Sequence, residues 1–178
     1  RIKESVSCMN NELNLAFSQE ALFAKSKLYI SRGLRAKDDK IFDEYQLWAS
    51  LALELLAKSS LSKVHPALVA DPQSYQSLFA ACGYPLSPDV KTITAKTLFE
   101  RLSHISKDFD KRIQDFCNKI ALRRNSELHS GESPFSGMPL EAWEAQFWHA
   151  AYIILFIQNK NLEQWLGVED AETPNRLL

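Results

Sequence analysis

The stretch "FDKRIQDFCNKIALRRNSELHSG", residues 109–131, decides how the rest of the chain is read. Take roughly 100° per residue with Ile120 at zero; Phe109, Ile113, Phe116 and Cys117 then fall within about 60° of it. That is one apolar stripe on a helix, expected from near Asp108 to about Glu127. Arg124 lands at about 40°, inside the stripe, while Arg123 falls toward its flank near Lys119 and Arg112. An arginine that continues an apolar stripe is costly to bury unless it is paired. His129 would point about 140° away from Arg124 on an unbroken helix. Ser130-Gly131 predicts that the helix does not continue, which puts His129 in the last turn or just beyond, free to turn back.

Outward from this helix, the same periodicity recurs. Residues 10–32 carry Leu13, Phe17, Ala21, Ala24 and Leu28 at helical spacing, with an end expected near Gly33 and a charged turn "RAKDDK" after it. Residues 41–62 predict a long second helix with a wide apolar arc through Phe42, Tyr45, Trp48, Ala52, Leu55 and Leu56. His65-Pro66 closes it, because proline disfavours a helical residue before it. A short helix is expected within residues 73–82, ending at Gly83, and Thr94 is a plausible N-cap for "AKTLFERLSHIS". Pro134, Gly137 and Pro139 form a linker. The helix after it, from near Leu140, is apolar on most of its circumference between Trp143 and Ile157, so it should be central or lie at an interface. No strand-like alternation persists. The expected fold is an all-α bundle of about five helices, with a short helix in the 63–93 connection.

Composition narrows the function classes. The 178 residues suffice for one domain with a sizeable core, and 46% hydrophobic with 24% charged residues is ordinary for a globular chain. A net charge of −1 excludes a generally basic nucleic-acid-coating protein, though not a local basic site. Cys8, Cys82 and Cys117 make no CxxC pair and are odd in number, which fits a reduced, cytoplasmic setting without disulfides or a zinc motif. The most apolar run, "AAYIILFI" at 150–157, is too short to span a bilayer, so no membrane partner is expected. The chain opens on Arg1 rather than methionine, compatible with a piece of a longer protein.

An ordinary reading covers the arginine and the histidine. Arg124 could pair with Glu127 one turn on, and His129 could be a helix-end histidine favoured by the dipole. Context adds more. The run "RNSELH" (Arg124 to His129) resembles the R-x4-6-H motif of the HEPN superfamily, the higher eukaryotes and prokaryotes nucleotide-binding domains. A polar residue directly after the arginine is typical there, and Asn125 fills that place. The second-helix stretch "ALELLAKSSL" is also similar to that family, and the likeness extends over about residues 41–160, with residues 1–37 adding a compatible N-terminal helix to a single HEPN-like domain.

The resemblance implies a metal-independent RNA endonuclease that needs no cofactor. Arg124, His129 and Asn125 would be its catalytic residues, shared across a homodimer in which two motifs face one cleft. These residue types suit RNA cleavage, since histidine serves as base or acid at neutral pH and arginine offers fixed donors to phosphate oxygens. A role in phage defence or stress response is implied, with a regulatory domain or antitoxin-like partner protein in view. The toxin branch paired with nucleotidyltransferase antitoxins usually has tyrosine two residues after the histidine. Gly131 stands here, so control by adenylylation is not expected.

Glu54, which forms an i,i+4 pair with Lys58 inside an apolar arc, and Glu127 are supporting candidates. Lys119 and Arg123 are candidate RNA contacts, within a set of basic residues that is mainly a solvated face. His104 is expected to be packed or exposed on its helix, His149 to be an interior or interface residue, and His65 a helix-end residue. The second function class is a non-catalytic HEPN-like module that dimerises or binds a nucleotide or partner.

Overall fold

The computed structural model describes residues 14–84 and 86–178. The described chain is all-α. It contains α1 (Gln19–Asp38), α2 (Phe42–Val64), α3 (Tyr75–Ala81), α4 (Ala95–Ile105), α5 (Lys111–His129), α6 (Glu144–Ile157), α7 (Leu162–Leu166) and α8 (Val168–Leu177). Among the described residues the only extended pairing is an isolated bridge between Ala70 and Thr92.

The hub is α2. Residues 39–41 fold it back along α1, its most extensive contact, and α4, α5 and α6 pack on its other sides. Its sequence explains the placement. Ala49, Ser50, Ala52, Ala57, Ser59 and Ser60 are small, so neighbouring helices come close, and all are buried. Buried hydroxyls need partners. Ser50 and Ser59 donate to the carbonyls of Leu47 and Leu56 at 2.8 and 2.7 Å, while Ser60 reaches across to the Ile154 carbonyl at 3.3 Å. Leu53, Leu56 and Leu61 fill the spaces between with no exposure. α6 supplies the aromatic half of the core through Phe147 and Trp148, yet its outer face leaves Tyr152 and Phe156 exposed. His149 is exposed as well, so of its two expected positions, interior or interface, the interior one is not taken.

The first helix departs from expectation in two ways. Ser18 caps α1, accepting from the Ala21 amide at 3.3 Å, and a tight 3-10 turn at Leu15–Phe17 precedes it. Counting a helical period across that turn loses phase. Ala24 and Leu28 therefore face solvent, while Leu22, Ser26, Ile30, Gly33 and Ala36 form the buried stripe. Leu13 lies outside the described residues. Gly33 does not stop the helix, which runs on through most of the "RAKDDK" turn. It lies close against α2: a Cβ there would sit 3.3 Å from the Trp48 Cβ and 3.4 Å from the Tyr45 ring. Phe42, placed in the apolar arc of α2, is 41% exposed at the helix start.

Other boundaries differ by a few residues from those the sequence suggests. Asp110, not Asp108, caps α5, and α5 extends past Glu127 to His129, where Ser130 ends it. α3 is shorter than residues 73–82 and starts after Ser74. Thr94 caps α4 as its sequence indicates. After Lys160 the chain adds α7 and α8, which brings Trp165 into the core, its indole donating to Ser26 of α1 at 3.0 Å. Asn161 and Gln164 form the reciprocal capping box that starts α7.

Candidate functional site

Two helices build the site. α5 carries Arg124 inward at only 8% exposure, as its stripe position requires. α2 meets it with Glu54, whose carboxylate accepts from the Arg124 guanidinium. The second oxygen of Glu54 pairs with Lys58 one turn along α2, at 3.1 Å. Lys58 is itself buried and donates to the Thr92 hydroxyl at 3.1 Å. Burial pushes the Glu54 carboxyl up, but the Lys58 and Arg124 charges outweigh it and hold the group below the usual carboxylate value of 4.5. Glu54 is thus ionised between two cations. The cluster carries one net positive charge.

Asn125 completes the arginine's surroundings. Its side-chain oxygen accepts from Arg124 Nε at 3.3 Å and from Nη2 at 2.8 Å. Guanidinium has five N–H donors. Three are engaged by Glu54 and Asn125, so two have no partner among the described residues.

Arg124, Asn125 and His129 line one shallow depression of about 260 Å³, together with Glu54, Lys25 and Tyr29. Leu51, Leu55 and Leu128 give it apolar walls. The site lies along the edge of α5, where Arg124 reaches from the buried side and His129 from the exposed side. The helix is unbroken to His129, so the histidine keeps its helical direction instead of turning back. What fixes it there is the helix end. Ser130 donates to the Ser126 carbonyl through both its amide (3.0 Å) and its hydroxyl (2.7 Å), and Ser126 donates to Glu132 at 2.8 Å.

Not every candidate converges. Glu127 is not the partner of Arg124; its carboxylate accepts from the Phe135 amide at 3.5 Å and faces the following linker. Lys119 lines a separate groove with Arg112 and Gln146, between α5 and α6. Arg123 follows one turn later on that same flank, roughly 100° from Arg124. Neither residue lines the depression. His104 is exposed in the last turn of α4, and His65, the residue ending α2, accepts from the Ala67 amide at 3.0 Å. Cys117 is buried in α5, and desolvation raises its thiol far above the ordinary value, so it stays protonated and unreactive. Cys8 lies outside the described residues.

Lys25 and Tyr29 are not residues that the sequence singles out. They sit one turn apart on α1, and nothing in α1 alone signals that the α5 end lies beside them. Among the described residues no three His, Cys, Asp or Glu side chains gather as metal ligands, and no helix is long and apolar enough to cross a membrane. Compared with protein-family models, curated proteins and solved structures, the chain matches none.

Proposed function

We propose that the chain is a metal-independent RNA endonuclease of the HEPN type, cutting single-stranded RNA. The observation that carries this reading is the meeting of Arg124, Asn125 and His129 in one depression, with two guanidinium N–H groups still free of partners among the described residues. The net positive charge of the Lys58–Glu54–Arg124 cluster favours an anion there. In the reaction, the RNA 2′-hydroxyl attacks the adjacent phosphorus and the 5′-oxygen leaves, giving a cyclic phosphate and a 5′-hydroxyl. A histidine takes the attacking proton, a second group returns one to the leaving oxygen, and Arg124 steadies the charge that grows on the phosphoryl oxygens. One chain offers one histidine at this place. A homodimer that brings two depressions together supplies both base and acid, and the exposed Leu122 and Leu128 on the outer side of α5 suit such a contact. Phage defence or a stress response is the setting the resemblance favours, with release by a regulatory domain or partner protein.

A second reading has its own support. Three of the five Arg124 donors are already engaged, as they would be in a purely structural ion pair that holds α5 to α2 in a dimerising or partner-binding module. Cleavage of single-stranded RNA by the wild type, Arg124→Ala and His129→Ala separates the two. Cleavage lowered by about 10²-fold or more in both variants is the expected result. Equal activity in all three proteins, once nuclease contamination is excluded, would remove the catalytic reading.

A further inference from the structure

The depression does not end at Lys25. Lys25 and Leu55 also line a second concavity that runs between α1 and α2 to Lys58 and Thr92. The two adjoin at these shared residues. Their lining holds Lys25, Lys58 and Arg124 against the single carboxylate of Glu54, a surplus of two positive charges. Lys58 is 8% exposed and so cannot simply extend into water. Its ammonium has three N–H donors. Glu54 and Thr92 take two of them at 3.1 Å each, so one has no partner among the described residues. A buried cation with a spare donor thus lines the concavity, open to an acceptor that the described residues do not supply.

We propose that this second concavity is a phosphate subsite for the same RNA strand, with Lys58 and Lys25 as its donors and the Thr92 hydroxyl beside them. The inference rests on the RNA reading above and adds where the neighbouring nucleotide goes. The shared carboxylate supports one strand serving both places. Arg124 stands at one carboxylate oxygen of Glu54 and Lys58 at the other, so Glu54 sets the separation of the two phosphate-binding cations. Leu55 lines both concavities and gives an apolar wall on which a sugar or base face can rest. Lys25, exposed and carried on α1, lines both concavities.

A short single-stranded RNA with methylated 2′-hydroxyls, which can bind but cannot be cut, tests this through its affinity as a function of salt. Lys25→Ala should weaken binding about 3- to 10-fold and reduce the salt slope by about 0.7, the signature of one lost phosphate contact on a single strand. Lys58→Met should act in the same direction. Because it also disturbs Glu54 and can impair folding, the exposed Lys25 serves as the decisive position, with Lys25→Glu as the stronger variant. Arg176→Ala, on α8, should bind as the wild type does. Tight binding by the wild type with no change in Lys25→Ala and Lys25→Glu overturns the subsite and leaves the cleavage reading intact. Weakened binding in those variants, in a wild type that cuts no RNA, keeps the subsite and removes the nuclease. A wild type that binds no RNA removes both.

Discussion

Two carboxylates sit between helices, Glu144 buried and Glu54 half-buried, and they are built on different charge counts. Glu144, at the start of α6, meets Lys37 of α1, the Tyr45 hydroxyl of α2 at 3.2 Å and the Trp148 indole at 3.4 Å. One cation faces one carboxylate there, and the remaining donors are neutral. Desolvation, with the Glu144 charge beside it, keeps the Tyr45 phenol far above its ordinary value, so it donates as a neutral group. Trp143 packs on Tyr45 at 5.0 Å between rings and closes the cluster. Glu54 is placed between two cations instead, and its cluster opens on the two adjoining concavities. A balanced, closed cluster is accounted for by holding three helices together. An unbalanced, open one has donors left over that no described residue takes.

If that contrast is one of function, substitutions in the two clusters should fail in different assays. His129→Ala should show the largest effect, a loss of about 10²- to 10⁴-fold in RNA cleavage. Because His129 is exposed, its unfolding free energy should stay within about 0.5 kcal/mol of the wild type in urea. Glu144→Ala should do the opposite. It strands a buried phenol and an indole and should cost about 3–5 kcal/mol in the same urea titration, with cleavage per folded molecule nearly unchanged. Similar stability losses in both variants would erase the distinction.

Acid should sharpen it. The Glu54 carboxyl is held below its ordinary value in the fold, so its stabilising contribution is fully present above the unfolded value, about 4.3. It is lost as pH falls through the lower folded value. Urea unfolding of the wild type followed from pH 6 down to pH 3 should therefore steepen in its decline. Glu54→Gln, less stable at pH 6 by about 1–3 kcal/mol, should decline less over that window. An identical slope in both proteins would mean that Glu54 is not held ionised by its neighbours. At the small end, Lys111→Ala removes an exposed pair with Asp115 and should change stability by less than about 0.5 kcal/mol.

Much of this is legible along the chain, for a physical reason. Periodicity reports which side of a helix is buried, so Arg124 stands out before any partner is known, and Glu54 stands out inside an apolar arc. That the two meet depends on how α5 crosses α2, which no single helix encodes. The same limit hides Lys25, which joins the site only because α1 lies beside the end of α5. It also points to Glu127 as the nearest acid in sequence, whereas the actual partner is 70 positions away. The misphased stripe of α1 has a different origin: the 3-10 turn at Leu15–Phe17 advances the chain at another period, so Phe17 is buried and Leu28 is not. α7 is different again, because its start signal lies in the sequence itself. Asn161 three residues before Gln164, ahead of Trp165, is a capping box that periodicity alone passes over.

His129 is the last helical residue of α5, and Arg124 lies more than one turn inside it. Helix ends open locally long before a bundle melts, because few bonds restrain them, here those of Ser126 and Ser130. The two principal groups of the site therefore belong to parts of the molecule with different thermal endurance. Warming should detach the histidine from its place beside the depression while the arginine is still locked in the core, so that the proposed cleavage fades reversibly at temperatures where circular dichroism still records an intact bundle.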